Sequence, residues 1–375
     1  MIVEKQFAIR FIVPCCITVY LQMYNLIFIP MRNKEVNDRG LFFIEQFSRE
    51  EFVHGGITCV DVEKVLRANG FAAVSLPYHH DFSIRAKIAR FIYVLKTVAT
   101  TRRGSRVAFL FPVYARLNRV LLRLLQLRGA RLICIIADIE GMRDGDPRLR
   151  DQEFRLFRRW KYFVVHNKAM DALIRQQVPG AVCGSINLFD YLASPCTRER
   201  KLSRQVVFAG NLAKSGFVAK LDQLGAEVVV NLYGPGMPDE ARSFSNIHYF
   251  GVFKPYDMPA TVEGAFGLVW DGDSLETCNG SYGEYLRVNS QHKLSLYILA
   301  GLPVIIWSGA ATARIVSGNK IGIVVDSLRE MPAKIGALTE DEYHQMRINM
   351  QGMAEKISQG QNLSLALDNL LKGIV

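Results

Sequence analysis

The feature that most constrains this chain is a repeated alternation of short, uninterrupted apolar runs with turn residues and helix-like stretches. Residues 41–43, 107–111, 132–137 and 162–165 form one series of such runs. A second series follows at 206–209, 228–233, 267–270, 304–307 and 323–325. Runs that are apolar throughout, rather than at every second position, predict strands buried on both faces, hence parallel sheets covered by helices. Gly55-Gly56 precedes a helical stretch over 59–69, and Gly70 supplies a left-handed helix end. The polar stretch 194–204 reads as a linker between the two series. The expected fold class is therefore α/β, with two Rossmann-like halves at 40–195 and 205–350. An apolar extension precedes them at 1–39, and a C-terminal helix at 351–375 is expected to pack back on the first half. Neither half contains G-x-G-x-x-G or G-x-x-x-x-G-K-[ST], which disfavours a dinucleotide dehydrogenase or a P-loop NTPase.

Composition narrows the class further. With 50% hydrophobic and 22% charged residues the chain can bury substantial cores, so disorder is excluded. Seven cysteines, an odd number without C-x-x-C, give neither a zinc ribbon nor a disulfide framework and fit a reducing cytosol. His79-His80-Asp81 could suggest a metal, but the flanking Pro77-Tyr78 reads better as a loop. Residues 9–30 are apolar, yet Arg10, Pro14, Gln22 and Asn25 interrupt them, so a spanning helix or a signal peptide is poorly met. A weak anchor, an added element, or a segment upstream of a start at Met31 remain open, and no function is assigned to it.

The net charge of +11 is unevenly placed. Between Asp81 and Asp138 there is no acidic residue but twelve basic ones, from Arg85 to Arg131. Such a block implies a polyanionic partner. No nucleic-acid signature accompanies it, and its apolar company predicts a basic amphipathic helix near 115–125. There Arg116, Arg119 and Arg123 share one face, and Leu117, Val120, Leu121, Leu124 and Leu125 cover the other. An anionic membrane surface is the expected partner, against the plainer alternative of a solvated helix.

In open parallel sheets, ligands bind beyond the carboxyl ends of the strands. Gly210-Asn211 with Lys214 follows the first strand of the second series, and Tyr233-Gly234 follows the next. Each is a turn or the wall of a nucleotide pocket. Ser290 is a candidate N-cap for the helix starting at 291–293. The helix end near His292, strengthened by Lys293, is a candidate diphosphate site. Asp271-Gly-Asp273 invites a D-x-D metal reading, although the lysines can neutralise phosphate without a metal. Asp138 and Glu140 end a first-series strand, where a carboxylate can act as general base or cap a loop. Asn167 reads as an N-cap and His166 as a ligand contact.

The run FGLVWDGDSLETC…YGEYLRVNSQHKLSLYILAGLPVIIW, with VVFAGNLAKSGF, VVHNKAMDALI, INLFDYL and IIADIEGMR, resembles bacterial O-antigen β-1,6-galactofuranosyltransferases. More distantly it is similar to the glucosyltransferases that glycosylate streptococcal serine-rich adhesins. The resemblance covers about residue 40 to the C-terminus. It implies a GT-B fold, a UDP-sugar donor such as UDP-galactofuranose, no metal cofactor, and inversion at the anomeric carbon. It further implies a lipid-linked oligosaccharide acceptor and a peripheral place on the cytoplasmic face of the inner membrane. Carried over, Gly210, Asn211, Lys214 and Lys293 would contact the diphosphate, and Tyr233 and Gly234 would border the nucleotide. Asp271 and Asp273 would face the cleft, and Gly55 and Gly56 would form a glycine loop near both substrates. Where relatives have His-Asp after the fourth strand, this chain has Ala137-Asp138, so Asp138 stands alone as candidate base. The rival readings are another UDP-sugar on the same fold, or a catalytically silent GT-B subunit.

Overall fold

The computed structural model describes residues 40–46, 56–77 and 81–374. The apolar extension at 1–39, Gly55 and the His79-His80 pair lie outside the described residues. Two six-stranded sheets follow one another along the chain, and every paired strand is parallel.

The first sheet comprises β1 (Leu41–Ile44), β2 (Ala72–Val74), β3 (Arg106–Phe111), β4 (Arg131–Ile136), β5 (Tyr162–Val165) and β6 (Val182–Ser185), in the order β2-β1-β3-β4-β5-β6. The connecting helices include α1 (Gly56–Ala68), α2 (Ile84–Thr100), α3 (Arg116–Leu127), α4 (Pro147–Phe157) and α5 (Lys168–Gln177). The starts of the last two are set locally. Asp146 accepts from the amides of Arg148 and Leu149 with Pro147 in the first turn, and Asn167 accepts from Ala169 and Met170. Asn167 is thus the predicted cap.

The second sheet comprises β7 (Gln205–Ala209), β8 (Val229–Tyr233), β9 (Ile247–Gly251), β10 (Phe266–Val269), β11 (Val304–Trp307) and β12 (Gly322–Val325), in the order β12-β11-β10-β7-β8-β9. Its helices include α6 (His292–Leu299) and α7 (Glu340–Ser358). A final helix, α8 (Gln361–Lys372), follows. The strand order reverses between β7 and β10, so a crevice opens beyond their carboxyl ends.

Three strands have no counterpart among the predicted ones: β2, β6 and β9. All three lie at sheet edges. A strand paired on one side only is not enclosed on both faces, and β9, with His248, Tyr249 and Phe250 exposed, carries no continuous apolar run.

One expectation about the connections stands with an addition and one needs correction. The stretch 194–204 does join the two halves, but it is held in place rather than loose. Arg200 is buried and donates to the carbonyls of Ala300, Gly264 and Val262 at 2.9, 2.9 and 3.0 Å, which bolts the segment to the second half. The expected boundary at 350 falls inside α7, whose Ala354 and Ile357 belong to the second core. The crossing comes at Gly360, in the left-handed region with φ 71°, after which α8 buries Leu363, Leu367 and Leu370 with Phe43 and Val65 of the first half. Asp190 accepts from the amides of Asn362 and Leu363, fixing the start of that helix.

Candidate functional site

A cavity of about 350 Å³ lies between the two sheets at their carboxyl ends. From the second half it is lined by Gly210 and Asn211 after β7, Tyr233 and Gly234 after β8, Asp271 after β10, and Ser290, His292 and Lys293 at the start of α6. From the first half come Thr58, Asp138, Arg143 and His166. Ten of the candidate residues, His166 among them, are thus brought to one space.

Lys293 is the central cation. Its Nζ donates to Asp271 Oδ2 at 3.2 Å and to the carbonyl of Trp270 at 3.4 Å, and lies 4.4 Å from the Phe208 ring centroid. Burial pushes the Asp271 carboxyl above its ordinary range, and the Lys293 ammonium beside it pulls in the opposite direction. A Cβ added to Gly210 would point at this ammonium, 3.8 Å from Nζ, so the missing side chain leaves the approach to Lys293 open. Gly234 is required for another reason. Its φ is +127°, and a Cβ there would fall 1.8 Å from the carbonyl oxygen of Gly210.

Not every predicted contact sits in the cavity. Lys214 does not line it; its Nζ lies 5.3 Å from the ring centroid of Tyr282, which does. Asp273 is exposed and tucked beside Gly216, while its backbone amide donates to Asn279 at 2.8 Å. Gly272 turns the chain between the two aspartates, so Asp271 and Asp273 do not present two carboxylates to one space, and the expectation that both face the cleft is corrected. Asn211 spends its Oδ1 on the amide of Ala213. Tyr233 turns its hydroxyl back to accept from Glu263 N and stacks on Phe250. Gly56 opens α1, with Thr58 in its first turn at the cavity wall.

Ser290 is not the predicted N-cap. Gln291 occupies that position, without a side-chain cap. The serine is instead a link between the halves: its amide donates to His166 Nδ1 at 3.2 Å, and its hydroxyl donates to Asn187 O at 2.8 Å while accepting from Asn167 at 3.1 Å. His166 Nε2 donates to Ile136 O at 3.0 Å, so both ring nitrogens are used by a neutral imidazole. Burial holds this histidine down at about 4. His166 is therefore a strut across the cleft rather than a free ligand contact.

His292 stacks on Phe189 with centroids 4.4 Å apart, and its Nε2 lies 2.8 Å from Thr58 Oγ1. Burial also lowers it to about 4. Asp138 accepts from the Ile139 amide at 3.1 Å and pairs with Arg143, whose guanidinium also reaches Asp144 at 2.8 Å and Glu140 at 3.6 Å. The Ile139 amide also donates to Tyr285 Oη of the second half at 2.9 Å. Arg143 and Tyr285 were not predicted as site residues. Arg143 lies just past the all-basic run, and Tyr285 is an apolar-looking position among the charged residues of its motif.

Among the described residues no group of three or more His, Cys, Asp or Glu side chains could hold a metal ion. The arrangement is a crevice with a lysine at one wall, a paired carboxylate at the other, and a helix N-terminus opening between them.

Comparison with known proteins agrees with this geometry. The N-terminal domain of the glucosyltransferase 3-like family matches residues 43–178, and its C-terminal domain matches residues 206–370. The chain is 30% identical over 273 residues to the β-1,6-galactofuranosyltransferase WbbI of Escherichia coli, covering 70% of this chain and 78% of that one. It is 23% identical over 292 residues to glucosyltransferase 3 of Streptococcus gordonii, covering 76% and 84%. Among solved structures, Anabaena HepE in complex with UDP and glucose superposes with a TM-score of 0.55 at 13% identity, over 87% of this chain and 99% of that one. TarM superposes with a TM-score of 0.51 at 12% identity, over 74% and 58%. The fold is GT-B, and the chain belongs to the glucosyltransferase 3-like family of glycosyltransferases.

Proposed function

We propose that this glycosyltransferase moves galactofuranose from UDP-galactofuranose to a hydroxyl of a lipid-linked oligosaccharide, in the assembly of a cell-surface polysaccharide. The observation that carries the reading is the position of Lys293 and the N-terminus of α6 where the strand order of the second sheet reverses, because a departing diphosphate needs cations and free amides at that point. The galactofuranosyltransferase relative supports the sugar, and the UDP bound by HepE supports the nucleotide.

Inversion requires one displacement. The acceptor oxygen bonds to the anomeric carbon as the bond from that carbon to the diphosphate oxygen breaks, and the acceptor proton passes to a base. Asp138 is the base in this reading, and Arg143 holds its carboxylate in place. Lys293 receives the negative charge that develops on UDP. Lys214, above Tyr282 at the margin, adds long-range attraction for the nucleotide. A metal cofactor has no part in this scheme.

The acceptor side is supported by a second groove, of about 910 Å³, between α3 and α4. Tyr114 and Glu140 line it, and Tyr114 Oη donates to Glu140 Oε1 at 3.0 Å; Glu140 in turn neighbours Arg143 at the cleft. An oligosaccharide lying there would pass Glu140, two residues from the Asp138 that lines the cleft. The unbroken basic run supports a peripheral position on the cytoplasmic face of an anionic membrane.

The glucosyltransferase relative keeps UDP-glucose as the second reading. A panel of UDP-sugars assayed for transfer and slow hydrolysis separates the two. Turnover of UDP-galactofuranose at least tenfold above UDP-glucose is the expected result, and preference for UDP-glucose overturns the sugar assignment. Binding of UDP without turnover of any donor would point to a silent subunit.

A further inference from the structure

Helix α2 carries an inverted polarity for a surface helix. Ala86, Ala89, Val94 and Thr97 face the protein and are buried. The opposite stripe, toward solvent, holds Ile84, Ile88, Phe91, Ile92 and Leu95, which are 74, 51, 56, 40 and 48% exposed. Their spacing of four, three, one and three residues places them on one face of the helix. Phe82, immediately before the helix, is 78% exposed and extends the stripe. A soluble helix normally puts charge on that side.

The border of the stripe is cationic. Arg85, Lys87 and Lys96 flank it on α2, and Arg116, Arg119 and Arg123 are exposed on α3, which packs against α2. None of these six side chains forms an ion pair with a described residue. The sequence had placed the amphipathic membrane helix at α3. There, however, Leu121, Leu122 and Leu125 are consumed by the core, and of the predicted apolar face only Val120 is exposed. Apolar outward surface belongs to α2 and basic outward surface to both helices.

We propose that α2 lies flat in the interface of an anionic bilayer, its Ile84-Ile88-Phe91-Leu95 stripe among the upper acyl chains and the six cations at the phosphates. Seventeen residues give a helix of about 25 Å, long enough to lie along the surface with all of its stripe immersed. The sign of the border selects anionic lipid over a neutral one and over a basic protein partner. This inference rests on the proposed membrane location and adds the element that inserts. With α2 immersed, α3 and the groove beside it lie next to the lipid surface, where a lipid-linked acceptor is presented.

The test is flotation of the full chain with vesicles containing phosphatidylglycerol, set against pure phosphatidylcholine. The unaltered chain should float only with the former. Phe91→Glu and Ile88→Glu should each lower vesicle partitioning roughly tenfold, and Arg85→Glu with Lys87→Glu should do so at low salt, with UDP affinity unchanged in all. In Phe91→Trp, tryptophan emission should shift to the blue on adding phosphatidylglycerol vesicles and be quenched by brominated acyl chains. An unaltered chain that floats with neither vesicle overturns the membrane location and this inference together. Flotation undiminished in Phe91→Glu and Ile88→Glu overturns the inference alone and moves the anchor elsewhere, the 9–30 segment included. A Phe91→Trp emission already blue before lipid is added, or a dimer that Phe91→Glu dissociates, shows the stripe covered by protein and likewise overturns it.

Discussion

Each half of the molecule presents one acid–base pair to the cleft, and the two pairs are built differently. On the first half, Arg143 is shared among three carboxylates, those of Asp138, Asp144 and Glu140. On the second, Lys293 has one carboxylate, Asp271, and a backbone carbonyl, with an aromatic face beneath it. The first wall is therefore richer in negative charge, and it is there that the proposed scheme puts the base, Asp138. The second holds a cation with unspent capacity in a partly desolvated setting, where it stabilises an incoming negative charge more than it would in water. In the proposed scheme the two pairs do opposite work because their surroundings are unequal.

The sharpest way to break that comparison is Lys293→Ala. Transfer should fall on the order of a thousandfold, with UDP affinity reduced and the fold retained. Because Asp271 is then buried without its partner, Lys293→Ala combined with Asp271→Asn should recover stability but not activity. Unimpaired turnover of the single variant would remove the lysine from the diphosphate. Next in size is Asp138→Asn, which should lose transfer on the order of a hundredfold while binding UDP as before, read by calorimetry beside the transfer assay. An active asparagine variant would leave the first wall without a role in proton transfer.

A smaller effect separates the struts from the chemistry. His166 is held at about 4 in the folded chain, below the usual histidine value of about 6.5. As pH falls through 6.5 the unfolded chain protonates first, so stability declines until the folded histidine also protonates near 4. The loss attributable to His166 is about 3 kcal/mol across that window and absent above it. Denaturant titrations at pH 7 and 5 should show about 2 kcal/mol of it, with a loss of the same sign from His292, also held at about 4, and His166→Asn should have a flatter pH dependence though lower stability overall. Smallest is Thr58→Val, which removes the hydroxyl beside His292 Nε2. It should cost about 1 kcal/mol with less than a tenfold change in turnover.

Much of this architecture can be read from the chain, and the places where it cannot share a physical cause. Interior strands such as β4, with Ile133, Cys134 and Ile136 all buried, announce themselves because both faces are enclosed. Edge strands such as β9 carry no comparable pattern. In the site, Gly210, Asp271 and Lys293 were legible because they follow interior strands or open a helix. Ser290 was legible as a polar residue at a helix start but not in its task. Its hydroxyl serves the carbonyl of Asn187, one hundred and three residues away, and no local pattern encodes such a partner. Tyr285, whose hydroxyl meets the distant Ile139 amide, and the outward stripe of α2 were hidden for the same reason. Helical spacing shows that one face is apolar, but only the packing shows which way that face points.

The return of α8 to the first sheet has a mechanical consequence. The chain passes between the halves twice, once at 186–204 and once around Gly360, where Tyr191 N donates to Ile357 O at 3.3 Å and draws the two passages together. A body fastened at neighbouring points can swing like a door but cannot readily slide or separate. Admission of donor and escape of spent nucleotide would then be a rotation about that seam, with Asp138 and Lys293 travelling on opposite leaves.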